Sequence, residues 1–171
     1  LSGSVPPGAE KDIYSRLIKI AAEYNKQVIL DTSGDYLTEG CKAHPFLVKP
    51  NREELEALSG TSLQTDREVI QAAKKLEKLG AQNVLVSLGK RGAILVCEKE
   101  IFFGAPPAVK VENTVGCGDA MVGAFAAAVF RKKTMKECLA YALAVSAANA
   151  MNPNTGSFLQ KDLEQIPSEI K

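Results

Sequence analysis

Residues 113–125, Asn-Thr-Val-Gly-Cys-Gly-Asp-Ala-Met-Val-Gly-Ala-Phe, concentrate the groups best suited to chemistry. A turn built on Gly116 and Gly118 runs straight into an apolar stretch with helical spacing, and Asp119 stands at its start. Free backbone N–H groups at a helix N-terminus attract anionic oxygens, and the helix dipole adds to the attraction. Glycines let the backbone approach an anion with no Cβ in the way. A neighbouring carboxylate can take the proton of an attacking hydroxyl. The arrangement suits phosphoryl transfer. A plainer reading stands beside it: the glycines make a loop, and Asp119 is favoured in a first helical turn by electrostatics alone.

Lys49-Pro50-Asn51-Arg52-Glu53-Glu54 is a second candidate. Lys49 follows an apolar run that reads as a buried strand, where a lysine needs an anionic partner or solvent. Asn51 and Glu54 stand three apart at a helix start. They form either a capping box, with Glu54 reaching back to Asn51, or a pair that orders water around a magnesium ion carried by ATP. Ser87-Leu88-Gly89 directly follows a strand and fits either a nucleotide-phosphate turn or the opening of a hairpin. Cys117 lies beside a helix N-terminus, where a thiol is a conceivable nucleophile. No histidine is near it in sequence, so that role is not expected. The only histidine, His44, lies beside Pro45 in a loop and reads as a surface residue.

These groups need a frame. Residues 10–25 place Ile13, Leu17, Ile20, Ala21 and Tyr24 on one helical face. A strand at 28–30 ends at Asp31, a short helix covers 35–42, and a strand at 46–48 is stopped by Pro50. A helix opens at Asn51, carries Leu55 and Leu58, and ends at Gly60. The next spans about 66–79 with Val69, Ile70, Ala73, Leu76 and Leu79 inward, closed by Gly80. Strands follow at 84–86, 93–97 and 100–103, the last two forming an antiparallel region after the Gly89–Gly92 turn. Pro106 and Pro107 interrupt the chain. Alanine-rich helices are expected near 119–131 and 135–150, then a polar loop at 152–157 and a short final helix. Short apolar strands alternating with amphipathic helices imply an α/β fold, a parallel sheet covered on both faces with right-handed connections. Ligands in such sheets gather beyond the carboxyl ends of the strands. Asp31, Lys49, Ser87 and the 1–8 loop fall there. No internal repeat, low-complexity tract or second domain is evident.

Composition bounds the reading. The 171 residues carry 21 lysines and arginines against 20 aspartates and glutamates, which suggests no nucleic-acid partner and no membrane surface. No apolar run is long enough to span a bilayer. Cys41, Cys97, Cys117 and Cys138 form no C-x-x-C pair, so neither a metal site nor a disulfide framework is expected, and a reduced, cytoplasmic setting fits. Leu1-Ser-Gly-Ser reads like the end of a buried strand entering a loop, which leads to the expectation that sequence precedes it.

Taken together, these segments resemble the PfkB, or ribokinase-like, carbohydrate kinases. Asn113 to Asp119 is similar to the family's C-terminal signature, Lys49 to Glu54 to its Asn-x-x-Glu motif, and Ser87-Leu88-Gly89 to its nucleotide turn. The resemblance runs from Leu1 to about Gly156. Leu1 to Gly8, Val28 to Gly34 and Lys49 to Asn51 look like the hexose-phosphate branch, most similar to its fructose 1-phosphate kinases, with its tagatose-6-phosphate kinases next. Asn113 stands where ribokinase proper has aspartate.

The resemblance implies a three-layer α/β/α fold with a mainly parallel sheet. It also implies that residues 1–171 are the C-terminal, nucleotide-binding part of a kinase about twice as long. The missing part would supply the N-terminal strands, a small β-sheet lid and an acidic residue for the sugar hydroxyls. The implied reaction moves the γ-phosphoryl of ATP onto a hydroxyl of a ketohexose phosphate, fructose 1-phosphate giving fructose 1,6-bisphosphate. Asp119 would be the base, and the N–H groups of Gly116, Cys117 and Gly118 would hold the developing charge. Lys49 would face the phosphates, and Asn51 and Glu54 would organise Mg2+, Glu54 through water. Ser87 and Gly89 would lie near the nucleotide. Asn149, on the inner side of a late helix, would flank the adenine or be an ordinary helix residue. The isolated chain would show little activity, and a homo-oligomer is compatible with the family, whose dimers often use the lid. A non-catalytic nucleotide-binding module is the rival reading. A dinucleotide-binding dehydrogenase is discounted, because no G-x-G-x-x-G follows the first strand.

Overall fold

Alternating strands and helices fill the computed structural model, which describes residues 1–106 and 108–164. Pro107 lies outside them. The elements run α1 (Ile13–Glu23), β1 (Ile29–Leu30), α2 (Gly34–Cys41), β2 (Leu47–Val48), α3 (Arg52–Ser59), α4 (Asp66–Leu79), β3 (Asn83–Ser87), β4 (Ala93–Cys97), β5 (Ile101–Gly104), α5 (Cys117–Phe130), α6 (Met135–Ala150) and α7 (Gln160–Glu164). A turn of 3-10 helix, Gly89–Arg91, precedes β4. The strands hydrogen-bond in the order β1-β2-β3-β4-β5. The α/β class expected from the alternation is found. Contacts divide the chain into two clusters, Leu1–Ser87 with Ile94–Ile101, and Leu88–Ala93 with the chain from Phe102.

In the first cluster, β1, β2 and β3 are parallel, with Ile29 opposite Leu47, Leu30 opposite Val48, and Val48 opposite Val84. Their residues Leu30, Leu47, Val48, Val84, Leu85 and Val86 are buried, as expected of strands covered on both faces. The links across 88–92 and 98–100 are too short for parallel crossovers, so β4 and β5 continue the sheet as hairpins. Cys97 N donates to Glu100 O at 2.9 Å in the second of these. Helix α2 lies hard against β1: a Cβ on Gly40 would stand 2.4 Å from Leu30 Cδ2. That separation leaves room only for a hydrogen.

Residues 1–3 run alongside β1. Ser2 bridges Asp31 in parallel, and Gly3 N donates to Asp31 O at 2.9 Å. The hydroxyls of Tyr14 and Thr32 both donate to Gly3 O, at 2.9 and 3.0 Å. The strand-like pairing of Leu1 to Gly3 is therefore present, but these residues are exposed and not buried.

Two helix faces differ from the periodicity. On α1 the buried residues are Tyr14, Ser15 and Ile18, whereas Leu17, Ile20 and Tyr24 are 39%, 51% and 70% exposed. Apolar residues lie on both sides of this helix, and Tyr14 decides its rotation. Tyr14 packs edge-on against Tyr36 with ring centroids 6.3 Å apart, while its hydroxyl holds Gly3. On α4, Val69, Ala73 and Leu76 face inward as expected, joined by Ala72. Leu79 is exposed, because the helix ends there under Gly80 and the chain turns to β3.

Among the described residues, three helices begin with the same device. Asn51 with Glu54, Thr65 with Glu68, and Thr134 with Glu137 each form a complete capping box.

In the second cluster, α5 and α6 pack as an antiparallel pair of small side chains. Phe125 and Leu139 are fully buried, with Ala128, Ala142, Leu143 and Ala148 beside them. Helix α5 starts at Cys117, two residues earlier than its apolar spacing suggested, because the glycine turn itself supplies the N-cap.

Candidate active site

The candidate residues fall into two groups, one in each cluster. The first group lies at the carboxyl ends of β1, β2 and β3. Because β1 and β2 are parallel and in register, Asp31 and Lys49 leave the sheet side by side. Lys49 N donates to Leu30 O at 3.2 Å, and Lys49 Nζ lies 3.2 Å from Asp31 Oδ1. Lys49 is only 6% exposed. An unpaired ammonium there would be strongly destabilising, and Asp31 is the anionic partner that a lysine after a buried strand requires.

Asn51 follows two residues later as the N-cap of α3. Glu54 N donates to Asn51 Oδ1 at 2.7 Å, and Asn51 N donates to Glu54 Oε2 at 2.8 Å. The capping box is thus built, and it uses one oxygen of the Glu54 carboxylate. Asn51 also bridges Ser87 in parallel, and Ser87 N donates to Pro50 O at 3.1 Å. Asp31, Lys49, Asn51, Glu54 and Ser87 are therefore gathered where three neighbouring parallel strands end, the position at which α/β sheets bind ligands.

The second group surrounds the start of α5. Gly116 is the N-cap, in the left-handed region at φ 81°. A Cβ there would stand 2.9 Å from Thr155 Cγ2 and 3.1 Å from Gly156 N, so both conformation and space demand glycine. Having no side chain, Gly116 offers the first turn no capping acceptor. No side chain therefore takes the N–H groups of that turn, and Cys117 N makes a 3.3 Å bond to Thr114 O. Asp119 sits in the same turn and is exposed.

The turn is held from behind. Asn113 Oδ1 accepts from Val115 N at 2.9 Å, while its Nδ2 donates to Pro153 O and Thr155 Oγ1 at 3.1 and 3.3 Å. Ala150 O accepts from Glu112 N and Asn113 N. From α6, Ser146 Oγ donates to Cys117 O at 3.0 Å, and Asn149 Nδ2 donates to Val115 O at 3.1 Å and Cys117 Sγ at 3.3 Å. Gly89 lies in this cluster too, at φ 57° in the turn before β4, with open space where a Cβ would be.

The remaining expectations concern cysteine and histidine. All four cysteines are free. Burial pushes the Cys41 thiol up to about 12 and the Cys97 thiol up to about 11, which keeps them protonated and unreactive. His44 is exposed, with Nδ1 3.1 Å from Gly80 O. Among the described residues, no group of three or more His, Cys, Asp and Glu could enclose a metal ion, and no helix is long and apolar enough to cross a membrane.

Two contributors were not singled out from sequence. In the sequence Asp31 marks only a strand end, although the need of Lys49 for an anion points to that neighbouring strand. Ser146 carried no signal, being one polar residue in an alanine-rich helix.

A profile described as pfkB family carbohydrate kinase matches residues 1–162. The chain is 31% identical over its full length to the 1-phosphofructokinase of Bacillus subtilis (strain 168), covering 56% of that protein. It is 36% identical over 91% of its length to the 1-phosphofructokinase of Escherichia coli (strain K12), covering 50% of it. A crystal structure of a putative phosphofructokinase from Staphylococcus aureus superposes with a TM-score of 0.90 at 30% identity, over 99% of this chain and 56% of that one. The chain thus spans about half the length of the curated relatives it matches. Its glycine turn, its Asn-x-x-Glu helix start and this match over nearly all its residues make it a member of the pfkB family of carbohydrate kinases.

Proposed function

We propose that residues 1–171 form the nucleotide-handling part of an ATP-dependent sugar-phosphate kinase, one that transfers the γ-phosphoryl group of ATP to a hydroxyl of fructose 1-phosphate. The observation that carries this reading is the start of α5. There an uncapped helix N-terminus, a glycine that tolerates no side chain and an exposed carboxylate occur within four residues. The kinship with 1-phosphofructokinases supports the choice of acceptor.

In this reading Asp119 accepts the proton of the attacking hydroxyl. The N–H groups of Gly116, Cys117 and Gly118 stabilise charge on the transferring group. At rest, Cys117 N makes only a long bond, 3.3 Å, to Thr114 O, so releasing it to a phosphoryl oxygen sacrifices little. In the first cluster, Lys49 presents its ammonium to phosphate oxygens with Asp31 fixing its position. Ser87 and Gly89 lie along the nucleotide. The residues suit a hydrated ion and not an enclosed one, since no three-ligand cluster exists among the described residues. Mg2+ keeps several waters and is bound largely through substrate phosphates. Asn51 and Glu54 would hold it through water, Glu54 with the carboxylate oxygen that the cap leaves over. When bound, the ion neutralises charge on the phosphates.

A module that binds nucleotide without turnover is the second reading, since, Asp119 apart, every candidate group is assigned to the nucleotide, its phosphates or its ion. Calorimetric titration of the chain with ATP and magnesium tests both, alongside ADP release in the presence of fructose 1-phosphate or tagatose 6-phosphate. ADP release with fructose 1-phosphate supports the kinase reading outright. A preference for tagatose 6-phosphate moves the acceptor to that sugar. Binding without release supports the nucleotide-handling role that the two readings share, and absence of binding overturns both.

A further inference from the structure

We propose that Asn149 and Ser146 are positioning residues that aim the glycine turn, acting through the backbone of Val115 and Cys117 and not by contact with the nucleotide. This rests on the reading that the turn receives a phosphoryl group. The two side chains stand three apart on α6 and so share a face. Asn149 Nδ2 holds Val115 O, and Ser146 Oγ holds Cys117 O. These carbonyls belong to the peptide units on either side of the Gly116–Cys117 pair. In a planar trans peptide, C=O and N–H point in opposite directions. Drawing Val115 O toward α6 therefore turns the N–H of Gly116 away from α6. Drawing Cys117 O the same way turns the N–H of Gly118 away. Both glycine donors are aimed outward by groups that stand behind them.

The burial of Asn149 supports this role. It is 1% exposed, so little of the amide is open to an adenine ring. Its Oδ1 is buried without a hydrogen-bond partner. A buried acceptor left unmade is unfavourable, and an alanine in this alanine-rich helix would avoid it. The amide contributes through its donors, and both go to the turn, one to Val115 O and one to Cys117 Sγ.

The test uses Asn149→Ala and, at a half-buried site where folding is less at risk, Ser146→Ala with Ser146→Thr as the hydroxyl-keeping control. Hydrogen exchange of the amides in 114–119 is followed in the chain as it stands. Affinities for ATP, GTP and inorganic tripolyphosphate are measured by calorimetry. Each alanine variant should speed exchange of the hydrogen-bonded turn amides, Val115 and Cys117, about tenfold, the factor expected from one lost hydrogen bond, with α6 still protected. All three ligands should weaken by a common factor, and Ser146→Thr should behave as the parent. Loss of ATP affinity with GTP and tripolyphosphate unchanged would assign Asn149 to the base and overturn the proposal. So would unchanged exchange in the turn, or a uniform rise across α5 and α6. If the parent chain binds none of the ligands, the functional reading fails, while the exchange measurement still decides the positioning role.

Discussion

Lys49 Nζ and Asp31 Oδ1 lie 3.2 Å apart at the matched ends of two neighbouring parallel strands, with most of both side chains withdrawn from water. The pair belongs to the sheet as much as to any ligand. Breaking such a pair on one side leaves a buried charge uncompensated, which costs about 3–5 kcal/mol. Asp31→Asn should lower stability by that order. The double variant Asp31→Leu with Lys49→Met should recover most of the loss, because neither charge remains. Urea denaturation of the three proteins checks this, and a double variant no more stable than Asp31→Asn would refute it.

Asp119→Asn should abolish most turnover in a catalytically active form of the protein, with rate falling about 10²- to 10⁴-fold, the usual contribution of a general base. Nucleotide affinity should hold, because the N–H groups of the turn are untouched. Steady-state kinetics and ATP titration read the two effects separately. A variant with near-parent kcat would remove Asp119 from the chemistry.

Glu54→Gln separates cap from ion. Glutamine at this position can also complete a capping box, so thermal stability should change little. Asn51→Ala should cost about 1 kcal/mol through loss of the cap. If Glu54 also orders water around magnesium, Glu54→Gln should raise the magnesium needed for half-maximal ATP affinity. An unchanged magnesium titration would leave Glu54 a cap and nothing more.

Acid should weaken the helix starts. A backbone hydrogen bond from Thr65, then one from its side chain, holds Glu68 below its ordinary value of 4.5, and Thr134 does the same for Glu137. A group with a depressed folded value contributes its stability above its unfolded value and loses it as pH falls through the folded one. The contribution is therefore complete at neutral pH, begins to fall below about 4.5, and is lost as the pH drops through the lower folded-state value. Urea midpoints taken from about pH 6 to about pH 3 should fall less steeply in a Glu68→Gln, Glu137→Gln double variant than in the parent. Parallel curves would contradict the assignment.

Local signals carried well into the structure. Helix α6 spans the residues expected from its alanine-rich composition, and in the structure Thr134 and Glu137 cap its start. Gly60 and Gly80 close α3 and α4 as read. The inward face of α1 was not legible. Its apolar residues lie on two sides, and the choice between them rests on Tyr14 meeting Tyr36 and Gly3, partners distant in sequence. The same limit applies to the site. The glycine turn is a contiguous motif and could be seen directly. Its support comes from a helix distant in sequence, where Ser146 does not stand out among its neighbours and Asn149 is marked only by the family resemblance, with a different role.

The three capping boxes supply an internal control. Asn51–Glu54, Thr65–Glu68 and Thr134–Glu137 make the same reciprocal bonds, yet only the first sits against a strand end, through the bridge from Asn51 to Ser87. The reciprocal backbone bonds are shared, whereas Glu68 and Glu137 also accept from the hydroxyls of Thr65 and Thr134. Three Glu→Gln substitutions within a single polypeptide can therefore compare a box set at a strand end with two whose glutamates carry an added hydroxyl bond.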